Sequence, residues 1–280
     1  MQTRTFGWTG VQVPVIGQGT WKMEGDPPGE AVAAIQAGLD AGMTHVDTAE
    51  LYGSGRVESL VSCAIAGRRD QVFLVSKVMP NHASRSGTVK ACEASLRRLG
   101  TDHLDCYLLH WPGQHPLGDT IAAFEQLVQE GKIRSWGLSN FDVDELEEAL
   151  AIAGPRRIAC NQVLYHLRAR DIEHRVLPWC VKHEVAVVGY SPFGSGDFPQ
   201  PQSQGGEVLA EIARARGVTA HQLALAFLVR DPHVFGIPKS AKVVRVLQNA
   251  AAADLRLGAE EIARIEAAFP ARRGRGLPTL

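Results

Sequence analysis

Val72-Phe73-Leu74-Val75-Ser76-Lys77 is an almost unbroken apolar run that ends on a cation. A strand with one wet face alternates apolar and polar residues, whereas a strand buried on both faces reads as continuous. Parallel sheets covered by helices supply the second kind. The same texture recurs along the chain, giving eight candidate strands at Val15–Gly19, Thr44–Thr48, Val72–Lys77, Leu104–His110, Ile133–Ser139, Ile158–Val163, Val185–Ser191 and Val234–Pro238. Between them lie amphipathic stretches such as Thr88–Leu99, Thr120–Glu130 and Val143–Ala153. Apolar residues there recur every three or four positions, as in Ile121, Phe124, Leu127 and Val128, which is the period of a helix. Strand and helix alternating eight times predict an α/β fold of the (β/α)8 TIM-barrel type. A doubly wound open sheet is the alternative on pattern alone. Gly17-Gln18-Gly19 runs into Thr20, Trp21 and Lys22 and lacks the third glycine of a dinucleotide loop, so it reads as a tight turn. Ahead of the first strand, Thr9-Gly10 suits a hairpin turn that plugs the bottom of the barrel. Late stretches at Glu207–Arg216, His221–Arg230 and Glu260–Phe269 add C-terminal helices. Nothing resembling a linker or a repeat divides the chain, so residues 1–280 are expected to form a single domain.

The 280 residues suit that expectation, since one such barrel takes about 250 residues. Hydrophobic residues make up 45 %, enough for a large core. A formal net charge of -1 offers no basic surface for a phosphate backbone, so nucleic acid is not an expected partner. The one basic cluster, Arg272, Arg273 and Arg275, reads as a solvated tail. No stretch approaches the ~20 apolar residues of a membrane span, and Met1–Gly10 has no leader-like apolar run. Cys63, Cys92, Cys106, Cys160 and Cys180 are scattered and odd in number. They suit reduced thiols in a cytoplasm better than disulfides or a zinc site, and no metal is expected. No long apolar patch demands a partner copy, so a monomer is expected.

Chemistry in a barrel of this kind sits at the C-terminal ends of the strands. The second candidate strand ends at Asp47, with Tyr52 five residues on; the third ends at Lys77 and the fourth at His110. Later strands end at Ser139-Asn140, near Gln162, at Tyr190-Ser191 and before Lys239. Each residue has a plain structural use: a solvated strand end for Lys77, a turn cap for Asp47, a core imidazole for His110, a packing ring for Tyr52. Together, an acid, a base, a phenol and an imidazole closing on one pocket suit proton transfer to a carbonyl oxygen. Lys77 is expected to depress the Tyr52 pKa and improve it as a donor. Asp47 would hold Lys77 charged, and His110 would aim the carbonyl. No side chain supplies a hydride, so a cofactor must.

Six ordered motifs carry a resemblance: Asp47-Thr48-Ala49-Glu50-Leu51-Tyr52-Gly53, Leu108-Leu109-His110-Trp111-Pro112, Gly137-Leu138-Ser139-Asn140-Phe141, Asn161-Gln162 with Tyr165-His166, Gly189-Tyr190-Ser191-Pro192 and Ile237-Pro238-Lys239-Ser240. In this order, over almost the whole chain, they resemble the aldo-keto reductase superfamily. The short connection Pro112–Asp119 is similar to prokaryotic members. The resemblance implies NADPH-dependent reduction of aldehydes and ketones to alcohols, with Tyr52 as acid, Lys77 and Asp47 as its tuners and His110 as orienter. It further implies that Ser139, Asn140 and Gln162 hold the nicotinamide carboxamide and that Tyr190 stacks on the ring, with Thr20 and Trp21 beside the cofactor. Ser191, Phe193 and Ser195 would wrap the pyrophosphate, with Asp197 and Lys22 clasped over it. Lys239, Ser240 and Arg245 would grip the 2′-phosphate, favouring NADPH over NADH, and Gln248 and Asn249 would contact adenine. Gln248 stands where a Glu is common, Phe193 where Leu is usual, and Met79 near a position often aromatic. The short loop and the chain end at Leu280 imply an open substrate pocket lined by Trp21, Tyr52, Met79 and Trp111, taking a small carbonyl compound. A cofactor-binding sensor with little turnover stays open as a rival; it would have no need of Lys77 and Asp47 together. A barrel aldolase with Lys77 as a Schiff-base amine is the other rival, and it leaves Ser139, Asn140, Gln162, Tyr190 and Arg245 unused.

Overall fold

The computed structural model describes residues 1–271 and 277–279. The cluster Arg272, Arg273 and Arg275 lies outside the described residues. The chain opens with an antiparallel pair, β1 (Thr3–Thr5) and β2 (Gln12–Pro14). Eight parallel strands follow: β3 (Gln18–Gly19), β4 (His45–Asp47), β5 (Phe73–Val78), β6 (Leu104–Leu109), β7 (Ile133–Ser139), β8 (Ile158–Leu164), β9 (Ala186–Tyr190) and β10 (Val234–Ile237). Helices α1 (Pro28–Asp40), α2 (Arg56–Ile65), α3 (Arg85–Leu99), α4 (Leu117–Gln129), α5 (Val143–Ala153) and α6 (Val176–Lys182) each return the chain to the next strand. Two helices, α7 (Gln204–Arg216) and α8 (Ala220–Leu228), separate β9 from β10, and α9 (Val243–Ala252) and α10 (Ala259–Ala268) follow β10.

Neighbouring strands pair in chain order from β3 to β10. The circle is completed by Gly17 N–H donating to Gly236 O (2.8 Å), Gly236 N–H to Val15 O (2.9 Å) and Gly19 N–H to Pro238 O (3.1 Å). This is the expected TIM barrel, with one change at the first strand. The predicted strand Val15–Gly19 shortens to Gln18–Gly19, and Gly17-Gln18-Gly19 is not a tight turn. A Cβ on Gly17 would lie 2.8 Å from the His45 ring and one on Gly19 would lie 2.6 Å from Ile237 O. The two glycines are there because the barrel closes through them.

Alternation along each strand sorts the side chains. Phe73, Val75, Cys106, Leu108, Cys160, Val188 and Phe235 fill the barrel, and Phe6 packs with them. Val46, Leu74, Tyr107, Leu109 and Leu138 face outward into the layer shared with the helices. The Trp8 indole N–H donates to Ile158 O at 3.0 Å and fixes the N-terminal turn against β8, as a bottom plug requires. By the same alternation, Asp47 and Lys77 share the inward face of their strands with His45 and with Phe73 and Val75.

Candidate active site

Lys77 is fully buried, so its ammonium needs partners on all sides. It donates to Asp47 Oδ1 at 2.5 Å, to Thr48 O at 2.9 Å and to the Tyr52 hydroxyl at 3.2 Å. The second oxygen of Asp47 accepts from Gln162 Nε2 at 2.7 Å, and the Asp47 carbonyl accepts from Thr20 Oγ1 at 2.8 Å. Six residues from four strand ends thus form one connected polar network. The Tyr52 ring meets the His110 ring edge to face at 5.7 Å, and His110 lies 4.8 Å from the Trp111 ring. Asn140 adopts a left-handed backbone (φ 61°), a conformation its short amide tolerates. Its Nδ2 donates to His110 O at 3.1 Å and its Oδ1 accepts from the Tyr190 hydroxyl at 2.9 Å.

The charge states follow from burial and from these partners. Burial lowers the Lys77 pKa, but Asp47 and Tyr52 more than cancel it, and the net displacement is upward. Lys77 is therefore a fixed ammonium. That removes the aldolase alternative, which needs a neutral amine as nucleophile. Lys77 does pull the Tyr52 pKa down as expected, but the net shift is the reverse of the expected one. Burial raises the phenol above its ordinary value, and the pull of Lys77 offsets only part of that. Tyr52 is consequently protonated at neutral pH, the state a proton donor must be in. Burial, with a smaller contribution from Lys77, takes His110 down to about 2, so its imidazole is neutral.

A cavity of about 180 Å³ opens over this network. Trp21, Leu51, Tyr52, His110 and Trp111 line it with Ser139, Asn140, Gln162, Tyr190, Ser191 and Lys239. Of the sequence-predicted substrate residues, Met79 is the exception. It is half-buried outside the cavity wall, with its N–H donating to Glu50 Oε1 at 2.7 Å. Leu51 takes the place on the wall that was expected of Met79, and nothing in the sequence distinguished the two.

The remaining predicted residues lie beyond the cavity. Phe193, Ser195 and Asp197 sit in the loop that leaves β9, where Ser191, Gly194, Ser195 and Gly196 all have positive φ. Phe193 (φ -102°, ψ 13°) followed by left-handed Gly194 is the pairing that turns successive N–H groups toward one point, a shape suited to phosphate. The expected clasp of Asp197 on Lys22 is absent. Asp197 pairs with Arg168, and Lys22 lies over the Trp21 ring at 4.2 Å. Lys239 is held by Asp26 and Lys242 by Glu30, pairs the sequence did not signal. Ser240 Oγ accepts from Lys242 N at 3.1 Å. Arg245 and Gln248 are exposed on α9, and Asn249 is buried beneath them.

Comparison with known proteins adds an independent line. The sequence pattern described as the Aldo/keto reductase family matches residues 15–269. The chain is 43 % identical to the methylglyoxal reductase YeaE of Escherichia coli (strain K12), over 98 % of each chain. It is 35 % identical to the glyoxal reductase of Bacillus subtilis (strain 168), over 92 % of this chain and 90 % of that one. An aldo-keto reductase from Klebsiella pneumoniae, crystallised with NADPH, superposes with a TM-score of 0.94 at 45 % identity over the whole of both chains.

Proposed function

The chain belongs to the aldo/keto reductase family and reduces carbonyl groups with NADPH, and from that premise we propose that it acts on small 2-oxoaldehydes of the methylglyoxal class with Tyr52 as the proton donor. The observation that carries the reading is the buried chain Asp47–Lys77–Tyr52, which ends on a protonated phenol at the wall of a small cavity. Two features support the substrate class. The wall near Tyr52 is made of Trp21, Leu51, His110 and Trp111, which suits a small uncharged carbonyl compound. The relatives named for methylglyoxal and glyoxal reduction cover nine-tenths or more of this chain.

The residues also fit the cofactor. Asn140 and Gln162 carry amides able to pair with a carboxamide, Tyr190 offers a flat half-buried ring, and the Phe193–Gly194 turn suits a phosphate. When bound, the reduced nicotinamide supplies the hydride that the carbonyl carbon takes up. The chain's own residues do the rest. His110, neutral, donates a hydrogen bond that holds the carbonyl oxygen toward Tyr52. Tyr52 passes its phenolic proton to that oxygen as negative charge develops on it. Lys77, 3.2 Å away, stabilises the phenolate left behind, and Asp47 keeps Lys77 charged and in place. Arg245, Lys239 and Ser240 are assigned to the 2′-phosphate, and Gln248 and Asn249 to adenine. The same reading treats residues 1–280 as one domain acting as a cytoplasmic monomer. It is supported by the closed barrel and by five free cysteines, four of them buried.

The test is NADPH oxidation by the purified protein, followed by absorbance with methylglyoxal, phenylglyoxal and a simple aldehyde of matched size. Turnover should be fastest with the 2-oxoaldehydes, and Tyr52→Phe should lower kcat about a thousandfold with NADPH affinity retained. Equal turnover of simple aldehydes removes the substrate class. Near-normal activity in Tyr52→Phe removes the acid assignment.

A further inference from the structure

The loop from Ser191 to Phe198 has an unusual need for support. Ser191, Gly194, Ser195 and Gly196 hold φ values of 50°, 71°, 50° and 108°, and serine disfavours that region. Such a backbone persists only when contacts from outside the loop hold it. Arg168 holds Asp197 from one side, and the loop's two aromatic rings converge on one side chain of α8. The Phe198 ring stacks on the His221 imidazole at 3.9 Å with an interplanar angle of 11°. The Phe193 ring meets the same imidazole edge to face at 4.8 Å, and Phe193 and Phe198 meet each other at 5.9 Å. His221 is the second residue of α8. The turn that carries it is fixed by a capping box, in which Gln222 N donates to Thr219 Oγ1 at 3.1 Å and Thr219 N to Gln222 Oε1 at 2.9 Å.

One of the three rings stands near Arg245, a residue assigned to the 2′-phosphate. Phe193 packs at the edge of a buried cluster that includes Leu225 of α8 and Val246 and Ala250 of α9. Arg245, also on α9, is close enough for its charge to act on His221. Partial burial, and then Arg245, hold the imidazole below its ordinary pKa, so it is a neutral ring at physiological pH. Its contacts are therefore stacking contacts. His221 is nonetheless exposed and takes little part in the core.

We propose that His221 is a positioning residue for the phosphoadenosine end of the dinucleotide, acting through Phe193 and Phe198 to hold the Ser191–Phe198 loop in its binding shape. This rests on the NADPH reading of the site given above. It names a residue outside the reaction centre that sets how long the dinucleotide stays bound. Aromatic pairs of this kind contribute enough, two together, to change a binding constant about tenfold.

The experiment compares the full-length protein with His221→Ala, His221→Phe and Arg245→Ala. NADPH binding is titrated by tryptophan quenching, release is timed by stopped flow, and the thermal midpoint of the cofactor-free protein is recorded. His221→Ala should weaken NADPH about tenfold through faster release, with kcat maintained and the cofactor-free midpoint unchanged. His221→Phe, which keeps both ring contacts, should restore wild-type affinity. The proposal is overturned if His221→Ala binds NADPH normally, if His221→Phe is as weak as His221→Ala, or if affinity and cofactor-free midpoint fall together. Arg245→Ala separates the two levels. If it weakens NADPH and His221→Ala does not, this inference alone fails. If neither weakens NADPH, the assignment of the phosphate site fails with it.

Discussion

The reaction centre and the surface around α9 are built on opposite principles. At one end Lys77, Asp47 and Tyr52 are 0 %, 1 % and 9 % exposed, and the polar contacts among them are made within the protein. At the other end Arg245 and Gln248 stand in solvent, and Lys239 is held by Asp26. Burial makes the first end rigid and keeps each proton in a fixed place. Exposure lets the second end exchange one anion for another at small cost, because water screens the charges it must move. A reductase needs both, since the chemistry demands preorganised dipoles and the cofactor must leave after each turnover.

The same Asp→Asn substitution should have very different effects at the two ends. Asp47→Asn leaves the Lys77 ammonium buried beside a neutral amide. The expected loss is about 3–5 kcal/mol of folding stability, read as a lower urea midpoint, with activity lost as well. A small loss would mean that water reaches Lys77 and that the end is not truly closed.

Acid comes next, and it acts on the barrel interior. His45 is fully buried two residues before Asp47 on β4, its ring between Phe6 and Phe73 and neither nitrogen hydrogen-bonded. Burial holds its pKa at about 4, against 6.5 in an unfolded chain. The unfolded chain therefore takes up a proton that the folded chain refuses. The stability His45 allows is complete above pH 6.5 and falls as pH drops toward 4, by about 3 kcal/mol in all. His110, held down to about 2, adds to the loss in the same direction. Urea midpoints between pH 7 and pH 4.5 should fall steeply in the wild type and less in His45→Leu. Parallel slopes would assign the acid sensitivity to other groups.

At the exposed end the effects should be smaller and confined to binding. Arg245→Ala should weaken NADPH by about 10–100-fold, the worth of a charge-assisted hydrogen-bonded pair. NADH should change little, as measured by titration of both. Equal loss for the two would remove the 2′-phosphate from Arg245. Asp26→Asn should have the least effect. It frees Lys239 from a half-exposed pair worth less than about 1 kcal/mol, and it should tighten NADPH by up to about fivefold with folding stability unchanged. Weaker binding would mean that Asp26 helps to close the site over the cofactor instead of competing with it.

Legibility in the sequence divides along the same line. The interior end could be read because its residues sit at strand ends, and strands buried on both faces announce themselves as apolar runs. Ile133–Ser139 and Val143–Ala153 have the boundaries that their patterns predict. The exposed end could be read only as a resemblance. The Asp26–Lys239 pair joins residues 213 positions apart, and Arg168 takes Asp197 from 29 positions away. Local pattern does not report such pairings. His221 carried no signal either, because its meaning lies in two rings brought to it by a different loop.

What the sequence determined by itself was periodic: eight strands, the helices between them, and the inward face on which Asp47 and Lys77 had to lie. Tertiary structure decided what depends on distance through space. It shortened the first strand and left room only for glycine at positions 17 and 19, where a Cβ would meet His45 and Ile237. It moved Met79 off the cavity wall and put Leu51 on it. It also reversed the expected shift of Tyr52, because a neighbouring charge can be read from sequence order whereas the depth of burial that outweighs it cannot.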